Sequence, residues 1–129
     1  NSVLDPGLTV FEQTERFNAS HLAEHELKSI LNRYLFPYET WDKPCFCLSG
    51  GEKIRLLFCC LMIGNNAPDV FILDEPTNNL DIQSVEIITA AIKSYRGTVL
   101  LISHDHYFVK EIKINRSIKL FDTGSVIKI

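Results

Sequence analysis

The sequence predicts an α/β fold in which helices come first, a parallel βαβ unit follows and a hairpin closes the chain. Two short apolar runs, Val70–Leu73 and Thr98–Ile102, have the length and residue types of strands buried on both faces of a parallel sheet. Between them, apolar residues recur at helical spacing over Ile82–Tyr95, which is the pattern of a crossover helix. These observations together indicate the α/β class.

Helical signals precede this unit, and a hairpin pattern follows it. Thr9 and Glu12 fit a capping box, so a first helix is expected to begin near Val10. Apolar residues at helical spacing predict a second helix over Ser20–Leu35. Two strand-like segments around a glycine-containing turn predict a hairpin over residues 117–129.

Composition indicates a soluble, globular domain. The chain has 129 residues, 46% hydrophobic and 22% charged, which suits one domain that buries about two-thirds of its unfolded surface. A net charge of -3 argues against an autonomous nucleic-acid binder, which would carry a basic patch. No apolar run approaches the length of a membrane span, and the first residues do not resemble a signal peptide. We therefore expect a cytoplasmic protein without direct membrane insertion.

The histidines and cysteines favour structural roles over a metal site. His21 and His25 fall one turn apart in the predicted second helix, but no third ligand is near, so a solvated helix face is favoured. The four cysteines, in Cys45–Cys47 and Cys59–Cys60, lack the two-residue spacer that is usual in zinc sites. We expect reduced cysteines that pack in the interior of a cytosolic protein.

The first apolar strand ends in two adjacent carboxylates, Asp74 and Glu75. Open α/β sheets bind ligands beyond the carboxyl ends of their strands, which is where this pair is expected. The following Pro76 biases Glu75 towards an extended backbone. Two neighbouring carboxylates suit a divalent cation and a water to be deprotonated. The alternative is a polar strand terminus followed by a turn, which on this motif alone is about as probable.

A second chemical stretch is Leu48–Lys53, read as Leu-Ser-Gly-Gly-Glu-Lys. Ser49 and Glu52 fit a capping box that begins a helix, and Gly50 and Gly51 fall in its first turn. Glycine is costly there unless something approaches the backbone closely, so the exposed amides and the hydroxyl suggest a phosphate site. The alternative is a helix start that tolerates glycine. The apolar residues that follow predict a deeply buried helix ended by Gly64.

The second apolar strand leads to His104. Asp81 is expected to cap the helix between the two strands. A helix between two such strands makes a βαβ unit with a right-handed crossover, in which both strands run in the same direction. His104 should then emerge at the same sheet edge as Asp74 and Glu75, which makes it a candidate for the same site. A lone histidine is more often structural, and only this placement favours the functional reading.

These motifs, in this order, resemble those of the ATP-binding cassette (ABC) ATPases. Leu48–Glu52 resembles the ABC signature, and Val70–Glu75 resembles the Walker B strand with its catalytic glutamate. Asn79–Asp81 resembles the D-loop, and His104 resembles the switch histidine. The forms Asp-Glu-Pro-Thr-Asn-x-Leu-Asp and Ser-His-Asp-x-Tyr-Phe are most similar to the F subfamily. Its members are soluble twin-cassette proteins without transmembrane domains, and many act on ribosomes.

The resemblance implies a partial P-loop NTPase fold. Residues 1–64 would form the helical signature subdomain, and residues 65–129 the half of the ATPase core with Walker B and the switch histidine. Nothing in the chain matches Gly-x-x-x-x-Gly-Lys-Ser/Thr, and Gln13 does not replace the Q-loop glutamine. By analogy the chain begins after the Q-loop and is the C-terminal part of one cassette. Leu48–Lys53 is more similar to the second cassette of such proteins than to the first.

Two positions depart from the subfamily pattern. Asn79 stands where histidine is usual, and His106 stands where arginine is common. Both residues keep a polar side chain at their positions. The departures weaken the resemblance to the subfamily slightly and the resemblance to the superfamily hardly at all.

The resemblance implies one set of roles at the chain's own nucleotide. Asp74 would support the Mg²⁺ that bridges the β- and γ-phosphates of ATP, usually through water. Glu75 would polarise or deprotonate the attacking water, and His104 would contact the γ-phosphate and hold that water.

It implies a second set of roles across a cassette interface. Ser49, Gly50 and Gly51 would press on the γ-phosphate of ATP held by a second cassette, so that two cassettes enclose two ATP molecules. Asp81 would couple the two sites across the interface. The expected partners are a second cassette and, for the full-length protein, the ribosome.

Three functions are compatible with these residues. The favoured one is ATP hydrolysis in an F-type cassette that acts as a translation or ribosome-protection factor. The alternative is the ATPase subunit of an ABC transporter, which shares the chemistry but would dock coupling helices beside residues 1–38. A non-catalytic interaction module is the third. The isolated 129 residues are expected to be inactive without a phosphate-cradling loop.

Overall fold

A computed structural model of the chain describes residues 3–64, 69–112, 114, 118–120 and 126–128. None of the helices in these ranges is long and apolar enough to cross a membrane. Two short 3-10 turns, Tyr38–Thr40 and Cys45–Cys47, lie between the second and third helices. The helices and strands are, in chain order, α1 (Val10–Phe17), α2 (Glu24–Arg33), α3 (Gly50–Ile63), β1 (Val70–Asp74), α4 (Ile82–Ser94), β2 (Thr98–Ile102), α5 (His106–Ile112), β3 (Ile118–Leu120) and β4 (Val126–Lys128).

The first helix begins where its capping box predicts. The Thr9 hydroxyl accepts a hydrogen bond from the Glu12 N–H at 3.2 Å, and the Glu12 carboxylate accepts one from the Thr9 N–H at 3.1 Å. Val10 is fully buried, and its N–H donates to the Lys43 carbonyl at 3.0 Å. The predicted start of this helix is confirmed.

The second helix begins later than predicted, at Glu24, so the expected start at Ser20 is wrong. The amide side chain of Asn18 bonds both backbone groups of Leu22, each at 2.9 Å, and closes a loop before the helix. His21 lies in this loop with a φ of 53°, which helical backbone does not allow. A local side-chain to backbone contact has outcompeted the helix here.

The later start also changes the histidine pair. His21 precedes α2 and His25 lies in its first turn, so the expectation that they share one helix face is wrong. The described residues contain no group of three or more His, Cys, Asp or Glu side chains that could hold a metal ion.

The end of α2 is tied to α3. The helix ends at Arg33, two residues before the predicted end at Leu35, which has a left-handed φ of 63°. The Arg55 guanidinium on α3 donates hydrogen bonds to the carbonyls of Tyr34 and Leu35, each at 3.0 Å. A cation at carbonyls that end a helix is favourable because the helix end carries partial negative charge.

Trp41 anchors the loop between α2 and α3. Its indole N–H donates to the carbonyl of the buried Phe36 at 2.8 Å. The ring also contacts Tyr38 edge-on, with centroids 5.4 Å apart, and the Lys28 ammonium lies 5.3 Å from its centroid. The loop therefore has a defined path to the start of α3.

Helix α3 is shared by two hydrophobic clusters. Gly64 ends it as predicted, donating its N–H to the Cys60 carbonyl at 2.9 Å. The expected deep burial of this helix does not extend to Met62, whose side chain is 47% exposed. One cluster packs α3 against α1 and α2, and the other packs it against β1, α4 and α5. Their buried members from α3 are Leu56, Cys59, Cys60 and Ile63 in the first cluster and Phe58 in the second.

Strands β1 and β2 form the predicted parallel pair, with α4 as the connection. The register places Val70 opposite Thr98 and Asp74 opposite Ile102. Asp81 caps α4 as expected, because its carboxylate accepts a hydrogen bond from the Ser84 N–H at 3.2 Å. The α/β class and the βαβ unit are confirmed.

One face of this sheet is open, so the prediction that its strands are buried on both faces is wrong. Side chains alternate between the two faces of a strand. One set packs in the second cluster with Phe58, Ile88 and Phe108, and it consists of Phe71, Leu73, Val99 and Leu101. The opposite set is between 49% and 65% exposed, and it consists of Val70, Ile72, Leu100 and Ile102. Among the described residues, helices cover a single face of the β1–β2 pair.

The chain ends in the predicted hairpin. Strands β3 and β4 pair antiparallel, with Ile118 opposite Lys128 and Leu120 opposite Val126. The predicted turn over residues 122–125 lies outside the described residues.

Three of the four cysteines pack in the interior as expected, and Cys47 is exposed. Burial raises the pKa of the Cys59 thiol to about 12, and burial likewise raises the pKa of Cys60 and Cys45. A thiol reacts as its thiolate, so burial and a raised pKa both protect these side chains.

We predict that native protein shows one rapidly reacting thiol with a chromogenic disulfide reagent at pH 8, contributed by Cys47. The remaining three should react only after unfolding in guanidinium. Cys47→Ser should remove the rapid phase and leave the slow one unchanged. Two or more rapid equivalents in the native protein would contradict the burial of Cys45, Cys59 and Cys60.

Candidate functional site

The two carboxylates at the end of β1, Asp74 and Glu75, differ in their exposure to solvent. Asp74 is exposed and, by strand alternation, lies on the same open face as Ile72. Glu75 is only partly exposed, and its N–H donates to the Ile102 carbonyl at 2.7 Å. This hydrogen bond continues the β1–β2 ladder one residue beyond β1.

The backbone of Glu75 is left-handed, with a φ of 46°, so the expected extended conformation before Pro76 is wrong. Glu75 opens a turn in which its carbonyl accepts the Asn78 N–H at 3.1 Å, and Pro76 is buried beneath it. A positive φ is uncommon for a residue that has a Cβ atom, and it costs about 1 kcal/mol or more. Backbone strain of this kind is concentrated at functional sites.

Glu75 and His104 lie together at this sheet edge. The His104 ring nitrogen Nε2 is 3.4 Å from Glu75 Oε1, and the His104 N–H donates to Oε2 at 3.4 Å. The two side chains differ in exposure, 97% for His104 against 21% for Glu75. A half-buried carboxylate thus faces an imidazole that is free to reach into solvent.

Glu75 Oε1 is itself buried and has no hydrogen-bond partner among the described residues. The 3.4 Å approach of His104 has the length of an ion pair, but it does not satisfy hydrogen-bond geometry. A buried carboxylate oxygen without a donor is unfavourable, so this atom is suited to a water molecule.

The acidic turn is hydrogen-bonded to the residue that precedes α5, a contact that the motifs did not predict. The Thr77 hydroxyl donates to the Asp105 carboxylate at 3.3 Å. The other Asp105 oxygen accepts the Phe108 N–H at 3.1 Å and caps α5. Sequence periodicity predicts a short helix over Tyr107–Ile112, which the structure has from His106, but the bond from Thr77 to Asp105 joins distant segments and has no local sequence signal.

The residues present fit a magnesium ion held partly by water. Mg²⁺ usually keeps several waters and takes one or two protein carboxylates together with phosphate oxygens. Asp74 offers an exposed carboxylate, and the unpaired Glu75 oxygen offers an acceptor for a bound water. Within the described residues, no third His, Cys, Asp or Glu side chain completes a metal site with these two carboxylates.

The tip of α3 is the second candidate element. The Ser49 hydroxyl accepts the Glu52 N–H at 3.1 Å, and the Glu52 carboxylate accepts the Ser49 N–H at 3.2 Å, which confirms the predicted capping box. Ser49 and Gly50 are exposed, and a side chain added at Gly50 would meet no atom within 4 Å. The backbone there is open to a ligand or a partner.

Gly51 differs from Gly50. A Cβ placed on Gly51 would lie 2.7 Å from Leu80 Cδ2, closer than side-chain carbons approach in proteins. Leu80 lies in the turn between Glu75 and Asp81. The first turn of α3 and the turn that follows Glu75 are therefore in contact, through Gly51 and the Leu80 side chain.

Comparisons with known proteins agree with this geometry. The sequence model of the ABC transporter family matches residues 1–78, which include both the first turn of α3 and the acidic end of β1. The chain belongs to the ATP-binding cassette family. F family member 2 of Arabidopsis thaliana is 46% identical over 99 residues, 77% of this chain and 14% of the relative. Probable ATP-binding protein YbiT of Escherichia coli O157:H7 is 43% identical over 105 residues, 81% of this chain and 19% of that protein.

Mouse ATP-binding cassette sub-family F member 3 is 35% identical over 108 residues, 84% of this chain and 15% of its own length. The resemblance to the F subfamily is thus confirmed. The chain spans between 14% and 19% of the length of these relatives.

Solved cassettes share the fold. RNase-L Inhibitor superimposes with a TM-score of 0.69 at 20% identity, over 100% of this chain and 26% of that protein. The dimeric structure of a bacterial ABC transporter cassette gives a TM-score of 0.63 at 22% identity, over 84% of this chain and 51% of the other.

The cassette holds Glu52 ionised at the α3 tip. Partial burial alone would raise the pKa of the Glu52 carboxyl, but hydrogen bonds from Ser49 and the charge of Lys43 outweigh it, so the pKa lies below its usual range. The Lys43 ammonium is 3.4 Å from the carboxylate. A depressed carboxylate pKa adds stability above the unfolded pKa, and this stability is lost as pH falls through the folded pKa.

We predict that Glu52→Gln lowers the free energy of unfolding at pH 7 by about 1 kcal/mol, since the amide keeps the shape of the cap but loses the charge. The deficit should shrink as pH falls below about 4, where wild-type Glu52 protonates as well. Urea unfolding of the wild-type protein and of Glu52→Gln, at pH 7 and at pH 3, measures this difference in the free energy of unfolding. Glu86→Gln on the exposed side of α4 is the control, and a Glu52→Gln deficit that does not change with pH would contradict the assignment.

Proposed function

We propose that this chain binds and hydrolyses ATP as part of a complete F-type cassette. The observation that carries the proposal is the Glu75 carboxylate, half-buried at the sheet edge with one unpaired oxygen and with His104 beside it. Such a group is suited to accept a proton from a water in a fixed position.

In the proposed reaction, Glu75 accepts a proton from water while the water oxygen attacks the γ-phosphorus of ATP. The bond between the γ-phosphorus and the bridging oxygen breaks, and ADP leaves with the electron pair. His104, at the exposed rim, contacts the γ-phosphate and orients the water. Phosphoryl transfer of this kind depends mainly on positioning and charge stabilisation.

Asp74 is the proposed support for Mg²⁺, through a bound water. The ion supplies neutralisation of the phosphate charge when bound. The position of Asp74 on the open face of the sheet supports this assignment, because that side of the strand end is accessible to a nucleotide.

The α3 tip is proposed to act on the nucleotide of a second cassette. The exposure of Ser49 and Gly50, and the free space at Gly50, support an approach from outside the chain. The amides at a helix start attract phosphate. Gly51 is proposed to share in this contact through its backbone, and Asp81 to couple the two sites across the interface.

We also propose the division of the chain into a helical signature subdomain, residues 1–64, and the half of the ATPase core with Walker B and the switch histidine, residues 65–129. The two hydrophobic clusters support it, since one holds α1 and α2 and the other holds β1, α4, β2 and α5. Helix α3 contributes to both clusters and would be the element that joins the two parts.

A role in translation, with the ribosome as partner and the cytoplasm as location, is proposed for the full-length protein. The F-subfamily relatives support it. A further neighbour in fold, with a TM-score of 0.69 at 20% identity, is an archaeal ribosome recycling factor in complex with a ribosomal stalk protein.

We predict that Glu75→Gln, in the complete protein, lowers the rate of ATP hydrolysis by about 10²- to 10⁴-fold while nucleotide binding is retained. Glutamine keeps the shape but is a far weaker base. Phosphate release under saturating ATP measures the rate, and a fluorescent ATP analogue measures binding.

His106→Ala is the matched control, because His106 is exposed near the same edge and has no proposed role. The isolated 129 residues should show little or no turnover, since they contain no Gly-Lys pair to cradle the phosphates. Undiminished hydrolysis by Glu75→Gln, or steady turnover by the isolated chain that Glu75→Gln abolishes, would overturn the proposal.

The ribosomal partner has a separate test. The complete Glu75→Gln protein should sediment with ribosomes in the presence of ATP, because blocked hydrolysis holds the cassettes closed. With ADP in place of ATP, the same protein should remain in the supernatant. Equal sedimentation with both nucleotides, or none with either, would contradict a nucleotide-dependent ribosomal role while leaving the ATPase proposal in place.

A further inference from the structure

A single carboxylate, that of Asp105, joins the turn that follows Glu75 to the segment that carries His104. Its Oδ2 accepts a hydrogen bond from the Thr77 hydroxyl at 3.3 Å. Its Oδ1 accepts one from the Phe108 N–H at 3.1 Å, in the first turn of α5. Thr77 is two residues after Glu75, and Asp105 is the residue after His104. The Thr77–Asp105 bond therefore joins the two segments close to both proposed catalytic side chains.

The backbone of Asp105 is held in place by its neighbours along the chain. Its N–H donates to the Ser103 hydroxyl at 3.0 Å, and its carbonyl accepts the Val109 N–H at 3.0 Å. Phe108, in the same helical turn, is buried in the second hydrophobic cluster. Because Asp105 is fixed in this way, its bond with Thr77 sets the distance between the turn after Glu75 and the start of α5.

His104 is held weakly by its own side chain. The imidazole is 97% exposed, and its Nε2 lies 3.4 Å from Glu75 Oε1. The His104 N–H donates to Glu75 Oε2, also at 3.4 Å. Both distances exceed the length of about 2.9 Å that is typical of a protein hydrogen bond. The position of His104 relative to Glu75 therefore depends on the backbone segments that carry the two residues.

The second oxygen of Asp105 is more than the cap of α5 requires. One side-chain oxygen suffices to cap a helix, and serine, which has only one, is as good a cap as aspartate. Here Oδ1 serves the cap, and Oδ2 reaches back to Thr77, 28 residues earlier in the chain. A capping role alone leaves this second bond unexplained.

We propose that Asp105 and Thr77 are positioning residues for ATP hydrolysis, and that their hydrogen bond holds His104 against Glu75. Neither side chain would contact the attacking water or the phosphate. Loss of the bond would let the two segments separate by a small distance while each stays folded. The inference rests on the proposed function, and it adds two residues to which the motifs gave no role.

The test is a double-mutant cycle on kcat, in the complete protein with both cassettes. Thr77→Val removes the hydroxyl and nearly keeps the shape, and it should lower kcat about tenfold, because small displacements of catalytic groups are costly. Asp105→Ser can still cap α5 but is too short to reach Thr77, so it should lower kcat by a similar factor. The double variant should lie within about twofold of the slower single variant, because both changes remove one bond. KM for ATP should change little, since neither side chain is proposed to contact ATP.

Thr89→Val is the matched control for the loss of a hydroxyl. Thr89 lies on α4, where its hydroxyl donates to the Val85 carbonyl at 2.7 Å, about two helical turns beyond Asp81. This change should leave kcat unaltered. Thr77→Ser keeps the hydroxyl and should keep kcat close to that of the unmodified protein. Equal losses of kcat in Thr77→Val and Thr77→Ser, or a double variant that shows both single losses in full, would overturn the inference.

A second pair of variants does not depend on Thr77→Val folding well. Asp105→Asn keeps an oxygen for the Phe108 N–H, and its amide nitrogen can donate to the Thr77 hydroxyl, so the bond survives with its direction reversed. Asp105→Asn should therefore retain much more of kcat than Asp105→Ser. Equal kcat in these two variants would contradict a positioning role for the bond.

Removal of His104 shows whether the bond acts through this residue. In a His104→Ala background, Thr77→Val should lower kcat by less than about twofold further, because the positioned ring is absent. A full additional loss would overturn the inference. An unmodified protein without ATP turnover would overturn the proposed function and this inference with it. Turnover that Glu75→Gln abolishes, but that Thr77→Val and Asp105→Ser leave unchanged, would overturn the inference alone.

Discussion

The hydrogen bond from the Glu75 N–H to the Ile102 carbonyl, 2.7 Å long, is the interaction on which the site depends. It is the rung of the β1–β2 ladder just beyond the register that pairs Asp74 with Ile102. Because the strands are parallel, this rung brings the residues after both of them to one edge. A slip of one residue would turn every side chain of β1 to the other face and separate Glu75 from His104.

The same rung explains why the strained backbone of Glu75 persists. A left-handed glutamate backbone costs about 1 to 3 kcal/mol, and it persists only where the surrounding contacts hold it in place. The Glu75 N–H donates to the Ile102 carbonyl, and the Glu75 carbonyl accepts the Asn78 N–H. Two residues after Glu75, the Thr77 hydroxyl donates to the Asp105 carboxylate. Each net hydrogen bond contributes about 1 kcal/mol, so these contacts together offset the strain. The turn keeps one carboxylate oxygen buried and without a hydrogen bond, beside the exposed imidazole of His104.

Local chemistry in the sequence was sufficient to predict much of this arrangement. The capping boxes of Thr9 and Ser49 predicted two helix starts, because each cap and its partner are close together in the sequence. The two apolar runs predicted the parallel pair because a helical pattern separates them, as in a βαβ unit. The false start of α2 at Ser20 had a local cause of another kind, since the amide of Asn18 closes a loop that apolar periodicity does not reveal. The family resemblance supplied the order of the motifs and the roles of their residues.

What the sequence could not predict depends on contacts between distant segments. The open face of β1 and β2 follows from which elements cover the sheet, and strand composition alone does not show that. The positive φ of Glu75 depends on a rung from another strand, which overrides the bias that Pro76 imposes. The difference between Gly50 and Gly51 follows from the position of Leu80, about 30 residues later in the chain. Gly50 and Gly51 are adjacent in the same helix start, but their surroundings differ, because Gly50 faces open space and Gly51 faces the Leu80 side chain.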